Sequence, residues 1–234
     1  MIKAVFFDLY QTLIHYHPPR EEALSASLAR HGIKVAAAGL RRPIIAGDEF
    51  FYRENARKMA GQRTEAETRA MWQQYQVVVL KAAGIEPKPE LIAGLLADMQ
   101  RTTFERVLFA DVLPALKALS GNHLKIGLIS NVDKDINPLL DELGLSSYFE
   151  VVITSRELAV TKPEPRIFRE AVRRAGVAPA EAIYIGDQYE IDVLGARGAG
   201  LKALLLDRDD YRGDVAAGEK IKTLKELKGR LDGA

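Results

Sequence analysis

A chain of 234 residues that is 47 % apolar and 28 % charged is long enough to bury a substantial core and has the composition of an ordinary globular protein. Lysine and arginine number 33 against 32 acids, a formal net charge of +1, so no overall field favours nucleic acid or an anionic membrane. The absence of cysteine excludes disulfides, thiolate zinc sites and cysteine nucleophiles together.

No run approaches the roughly 18 apolar residues of a membrane span. The opening residues read as a strand rather than a signal peptide. The expectation is a cytoplasmic protein with a small-molecule substrate, no nucleic-acid or membrane partner, and a monomeric or homodimeric state.

In chain order, Ile2-Lys3-Ala4-Val5-Phe6-Phe7 opens the chain, and its apolar run from Ala4 ends on Asp8. Residues 16–106 carry no convincing strand but four helical stretches, near 20–31, 48–60, 64–83 and 88–105. Some ninety helical residues between one strand and the rest of a sheet form an insertion rather than a crossover.

From about residue 107 helix and strand alternate. Asp111 to Leu119 reads as a helix with Pro114 in its first turn. Leu124 to Ile129 is a buried strand ending at Ser130-Asn131. The next helix carries Ile136, Leu139, Leu140 and Leu143 on one stripe, with Gly144 suited to its end. Val151 to Ile153 is a third strand. Arg166 to Ala175 is a helix with Ile167, Phe168, Ala171 and Val172 inward. Strand 182–186, a helix from Ile191 to Ala199, a strand from Leu201 to Leu205 and a last helix from about Glu219 to Leu231 complete the chain. This pattern predicts an α/β protein: a parallel, Rossmann-like sheet of about five strands built from 1–15 and 107–234, with an all-helical cap of 16–106 inserted after the first strand.

In a parallel sheet both Asp8 and Asp187 end strands at the carboxyl edge, where ligands bind. Two carboxylates from strands far apart in sequence can then share one cation. Asp192 follows, five residues after Asp187.

Four short patterns, each at a strand end or a helix start, carry a resemblance: Asp8-x-x-x-Thr12, Ser130-Asn131, Lys162-Pro163-x-Pro165-x-Ile167-Phe168, and Gly186-Asp187-x-x-x-x-Asp192. Together they resemble the haloacid dehalogenase superfamily with a helical cap after the first strand, and the resemblance covers essentially all of the core. It implies that Asp8 is the nucleophile, with Thr12 beside it, and that Ser130 and Asn131 bind the substrate's phosphate oxygens or flank that contact. It also implies that Lys162 neutralises Asp8 and the charge developing on a phosphoryl group, as fixed cations do elsewhere. Mg²⁺ would be held by Asp8, Asp187 and the backbone carbonyl of Tyr10, with Asp192 orienting the loop or a metal-bound water. Each residue also has a plainer reading: Asp8 as a turn cap, Ser130 as a helix cap, Lys162 as a solvated loop lysine, Asp192 as a carboxylate in a first helical turn.

Tyr10 departs from the family's phosphatases, which resemble one another in an aspartate two residues after the nucleophile that protonates the leaving alcohol. A phenol with a pKa near 10 is a poor replacement at neutral pH. Asp-x-Tyr-x-Thr resembles instead the opening motif of the 2-haloacid dehalogenases, where halide leaves without a proton. Those enzymes resemble one another in a neutral side chain where this chain has Asp187, and the carboxylate makes sense with a cation. The leading expectation is therefore a Mg²⁺-dependent phosphatase working through an aspartyl-phosphate. The alternatives are a metal-independent 2-haloacid dehalogenase working through an aspartyl ester, and a non-catalytic binder of phosphorylated ligands. His15 and His17 are candidates for the missing acid, and Gln11 stands where the family often has glycine. In the insertion, Arg41 and Arg42 resemble dehalogenase arginines that receive halide and carboxylate, and arginine suits a carboxylate or second phosphate.

Overall fold

A computed structural model describes residues 1–122 and 124–232. In chain order the elements are β1 (Ala4–Phe7), β2 (Ile14–His17), α1 (Arg20–Arg30), α2 (Arg41–Arg57), α3 (Glu65–Ala82), α4 (Pro89–Arg101), β3 (Glu105–Leu108), α5 (Val112–Gly121), β4 (Lys125–Ser130), α6 (Asn137–Glu142), β5 (Val151–Thr154), α7 (Ser155–Leu158), α8 (Pro165–Ala175), β6 (Ala182–Gly186), α9 (Gly195–Gly198), β7 (Lys202–Leu206), β8 (Lys220–Ile221) and α10 (Leu227–Asp232). The chain divides into two compact units, one of Met1–His15 with the chain from Val107 onward, the other of Tyr16–Arg106.

The first unit is built on a parallel sheet in the order β5-β4-β1-β6-β7-β8. Successive side chains of a strand point to opposite faces, and β1 shows it. Val5 and Phe7 join Leu116 and Leu119 of α5 and Leu128 of β4 on one face. Ala4 and Phe6 join Ile167, Phe168, Ala171 and Val172 of α8 on the other. Those four α8 residues recur at helical spacing, and large apolar side chains such as Phe168 contribute about 2 kcal/mol each by leaving water. The strand order reverses at β1, between β4 and β6, and this is where a crevice opens at the carboxyl edge of such a sheet. Phe7 sits level with Leu128 and Ile185, so Asp8 emerges beside the ends of both neighbours.

The sheet differs from expectation at its far edge. The sequence predicts a helix from about Glu219, but Lys220–Ile221 pair with Leu205–Leu206 as a sixth strand. Ile221 is buried, and its carbonyl accepts from the Asp207 amide at 2.9 Å. Burying one isoleucine and pairing its backbone outweighs the helical pattern, and α10 begins only at Leu227, after a turn capped by Thr223 and Glu226. The segment expected to be helical from Ile191 to Ala199 is a π-helical turn over Tyr189–Leu194 followed by α9.

β2 and β3 run across the two chain passages between the units and pair as a separate two-stranded sheet, so residues 16–106 are not free of strand, contrary to the sequence expectation. In the second unit α1 to α4 hold a core of Leu28, Leu40, Ile44, Tyr75, Val79, Leu80, Leu91, Ile92 and Leu95. The second helix starts at Arg41, seven residues before its expected start. Thr64 and Glu67 form a capping box at the start of α3. Arg20 donates to both carboxylate oxygens of Asp48, at 2.8 and 2.6 Å, and the Tyr75 hydroxyl donates to the same carboxylate at 3.2 Å. No helix among the described residues is long and apolar enough to cross a membrane.

Candidate active site

Asp8 follows the last residue of β1, and its amide donates to the Ile185 carbonyl of β6 at 2.9 Å. That bond carries the strand's direction one residue past the sheet and aims the carboxylate at the crevice. The chain then turns back sharply: Leu13 and Ile14 amides both donate to the Leu9 carbonyl, and Gln11 takes φ +60°. Glycine adopts that left-handed geometry freely, whereas a side chain is disfavoured by about 1 kcal/mol. Gln11 thus holds a glycine's conformation. Tyr10 is half-buried in this turn and bridges to Ile14.

Lys162 reaches Asp8 from the loop before α8. Its ammonium donates to Asp8 Oδ1 at 2.6 Å, to Asp192 Oδ1 at 2.7 Å and to the Tyr184 hydroxyl at 2.8 Å. Lys162, Asp8 and Asp192 are all almost fully buried. A solvated loop lysine is therefore ruled out as a description of this geometry, and Asp8, which also takes a backbone hydrogen bond at Leu9, does more than cap its turn. Burial by itself would lower the Lys162 pKa, but Asp192 and Asp8 reverse that and hold it above the ordinary value. Burial pushes the Asp8 carboxyl up to about 6, against the pull of Lys162 and with a further push from Asp192.

The lysine's backbone is fixed from the second motif. Asn131 Nδ2 donates to the Lys162 carbonyl at 3.0 Å, and the Lys162 amide donates to Asn131 Oδ1 at 2.7 Å. Ser130 closes β4 and is buried. It is not the cap of α6: the Asn137 amide donates to Asp135 Oδ1 at 3.0 Å instead.

Asp187 is half-buried at the end of β6 and accepts from Thr12 Oγ1 at 3.4 Å and from Gln188 Nε2 at 2.7 Å. Asp192 turns back toward the strand: its Oδ2 accepts from the Gln188 amide at 3.0 Å. A side chain at Gly186 would place a Cβ 2.6 Å from Asp192 Cβ, so only glycine lets this carboxylate lie against the strand. The Asp192 amide and, at 3.4 Å, the Val193 amide share the Gln188 carbonyl, which widens the turn into a π-helix and lets Asp192 face Lys162. Gly195 packs the next turn on Pro163, which would lie 2.9 Å from a Cβ there.

Asp8, Asp187 and Asp192 each offer a carboxylate oxygen, and the three atoms lie within 4.8 Å of one another. Three carboxylates around one ammonium leave the group of four with two uncompensated negative charges when all are ionised. Hard oxygen donors with surplus negative charge suit a divalent cation such as Mg²⁺. Asp192, already bonded to Lys162, Tyr184 and the Gln188 amide, is spent on orientation. Asp8 and Asp187 remain for a cation.

The structure thus brings together Asp8, Thr12, Ser130, Asn131, Lys162, Asp187 and Asp192 at one edge of the sheet. Arg41 and Arg42 are exposed in the first turn of α2, and Arg41 donates to Glu21 at 2.8 Å. Arg20, held by Asp48, is less exposed than either, and sequence reasoning passed over it. His15 packs tilted at 39° against Phe109 with ring centroids 4.6 Å apart, and His17 is exposed.

Three further residues were also missed. Tyr184 lies at an inward strand position, where a hydroxyl must find a partner, and that was the readable signal. Arg208 and Asp111 gave none. Arg208 donates to the Thr12 carbonyl at 2.9 Å, pairs with both Asp111 oxygens at 3.0 and 3.1 Å, and stacks 3.8 Å above the Phe109 ring. Asp111 also accepts from Thr223 Oγ1 at 2.6 Å and the Leu224 amide at 2.8 Å. The turn that follows Asp8 is thereby strapped to the C-terminal segment.

Comparison with known proteins agrees with this geometry. The chain is 33 % identical over 216 residues to a glyceraldehyde 3-phosphate phosphatase of Methanopyrus kandleri, covering 91 % of this chain and 87 % of the relative. Among solved structures it resembles a HAD phosphatase from Thermococcus onnurineus, with 26 % identity, TM-score 0.59 and 99 % of each chain covered. It equally resembles a 2-haloacid dehalogenase from Pseudomonas syringae, with 26 % identity, TM-score 0.57 and 100 % and 99 % covered. The family model for haloacid dehalogenase-like hydrolases matches residues 2–200, and the chain belongs to that family of hydrolases.

Proposed function

We propose that this protein is a Mg²⁺-dependent phosphatase of a small phosphorylated metabolite, with Asp8 as nucleophile. The observation that carries the reading is Asp187, whose carboxylate stands within 4.8 Å of those of Asp8 and Asp192. A displacement of halide has no use for a third carboxylate beside its nucleophile, since it would only raise the nucleophile's pKa. A phosphate monoester brings its own negative charge and needs a cation to approach. The similarity to a glyceraldehyde 3-phosphate phosphatase supports the same reading and suggests a substrate of that size.

Asp8, Asp187 and the Tyr10 carbonyl would hold the ion. A cation held there would supply charge neutralisation for the carboxylates and the phosphoryl oxygens. Lys162 keeps Asp8 ionised and directs its free oxygen toward phosphorus. Ser130 and the amides around Asn131 would receive phosphoryl oxygens. Asp8 attacks phosphorus, the bond to the alcohol oxygen breaks, and an acyl phosphate forms on Asp8. Water then attacks that phosphorus, releasing inorganic phosphate and restoring the carboxylate. Tyr10 is a weak acid for the first step, so the leaving alkoxide draws its proton from solvent. The helical unit would act as a cap, with Arg41 or Arg42 as candidate contacts for the rest of the substrate.

A panel assay tests this. Phenyl phosphate, glyceraldehyde 3-phosphate and 2-chloropropionate are each offered with Mg²⁺ and with excess chelator. Phosphate release that depends on Mg²⁺ and vanishes in Asp8→Asn is the expected result. Chloride release in chelator, with no phosphate release, would replace the reading with a dehalogenase.

A further inference from the structure

Tyr184 occupies the middle of β6 with its ring wedged edge-on against Phe168 at 5.2 Å, and it is completely buried. Its hydroxyl lies 2.8 Å from Lys162 Nζ, 3.1 Å from the Ile129 carbonyl and 3.2 Å from Asp192 Oδ1. An ammonium has only donors, so the phenol oxygen must accept from Lys162. The single hydroxyl proton is then shared between the Ile129 carbonyl, the shorter contact, and Asp192 Oδ1. Burial, with Asp192 and Asp8 nearby, holds the phenol well above its ordinary pKa, so it stays neutral and keeps that proton.

The arrangement does more than satisfy a buried hydroxyl. The three Lys162 donors point at Asp8, Asp192 and Tyr184, one each. Two carboxylates alone would leave the ammonium free to rotate about its axis and to slide between them. The third acceptor is the only one of the three on a rigid aromatic ring set in the sheet, and through the Ile129 carbonyl it is tied to the strand that delivers Ser130. Lys162 sits at the tip of a flexible four-carbon stem, and the fixed phenol supplies what that stem lacks.

We propose that Tyr184 is a positioning residue of the reaction: its hydroxyl, anchored between β6 and the end of β4, fixes the Lys162 ammonium on Asp8 and so aims the nucleophile. The inference rests on Asp8 as the attacking group, which holds for phosphate and for halide displacement alike. It does not depend on which of them the protein catalyses.

Tyr184→Phe removes one oxygen and keeps the ring. The kinetic arm uses whichever substrate of the panel the wild type hydrolyses. kcat is expected to fall 10- to 100-fold with KM within threefold, the size of loss that follows misplacement of a reacting group by about 1 Å. The second arm is independent of turnover. In protein labelled with ¹⁵N at lysine Nζ, the buried Lys162 ammonium gives a slowly exchanging signal, assigned by its loss in Lys162→Met. In Tyr184→Phe its proton exchange should quicken at least tenfold. Should Tyr184→Phe fold poorly, 3,5-difluorotyrosine at 184 keeps the hydroxyl but weakens it as an acceptor, and must shift both readouts the same way by less. An unchanged ammonium signal overturns the positioning, and a faster exchange with kcat within twofold of wild type overturns its catalytic consequence. If no panel substrate is turned over, the functional reading fails, and the ammonium signal still decides the role of Tyr184.

Discussion

Asn131 and Lys162 hold each other by a reciprocal pair of hydrogen bonds, side-chain amide to backbone in both directions, at 3.0 and 2.7 Å. Thirty-one residues apart, they lock the loop after β4 to the loop before α8, so the lysine's backbone is set before its side chain reaches Asp8.

That pair makes a prediction with a sign. Asn131→Asp keeps the acceptor for the Lys162 amide but turns the donor into a second oxygen facing the Lys162 carbonyl. It should destabilise by about 1–3 kcal/mol, the penalty for leaving a buried polar group unpaired, and lower kcat further than Asn131→Ala does. Thermal melts and kcat on one substrate check it. Equal behaviour of the two variants would deny the donor any role.

The cation is tested by Asp187→Asn. The variant keeps shape and hydrogen bonding but removes the charge that sets this site apart from a metal-independent one. Calorimetry should show Mg²⁺ affinity falling at least tenfold and phosphate release falling with it, with the melting temperature in chelator little changed. Wild-type Mg²⁺ binding that survives in Asp187→Asn would move the ion elsewhere.

Tyr10 sets the leaving-group dependence. Lacking a strong general acid, the wild type should hydrolyse aryl and acyl phosphates far faster than alkyl ones, with log kcat/KM falling steeply as leaving-group pKa rises. Tyr10→Asp should flatten that slope by helping alkyl esters selectively, by up to the roughly 10²–10⁴-fold that acid–base catalysis supplies. A flat wild-type slope, with chemistry limiting, would show that another residue already donates the proton. His15 is packed on Phe109, so the exposed His17 would be mutated first.

Asp111 governs acid stability. Burial opposes its charge, but Arg208, Thr223 and the Leu224 amide together hold its pKa below the ordinary carboxylate value. A folded pKa below the unfolded one means stabilisation that is complete above about 3.9 and is lost as pH falls through the folded value. Asp111→Ala should destabilise by about 1–3 kcal/mol at neutral pH by leaving Arg208, the Thr223 hydroxyl and the Leu224 amide without their shared acceptor. Asp111→Asn should flatten the acid limb of the stability–pH curve, read by denaturant titration between pH 3 and 7. An acid limb as steep as the wild type's would assign the dependence to other carboxylates.

The alternating period of β1, the helical period of α8 and the four short motifs were all legible in the sequence, because each is a local pattern repeated along the chain. They were enough to give the parallel sheet and to point to Asp8, Lys162, Asp187 and Asp192, which meet at its carboxyl edge. What remained hidden depends on contacts distant in sequence. Lys220–Ile221 became a strand because the β7 edge needed a partner and Ile221 had a core to enter, which no local propensity encodes. The π-helical turn exists because Asp192 faces a lysine thirty residues away. Tyr184 read as one more apolar strand residue until Lys162 and Ile129 stood beside it, and Arg208 as a surface charge until Thr12, 196 residues earlier, offered its carbonyl. Sequence alone singled out the groups that meet at the carboxyl edge of the sheet, since their types and spacing are local facts. Only the tertiary structure decided what holds them in place, because hydrogen bonds between buried groups are settled by where the packed core brings distant segments together.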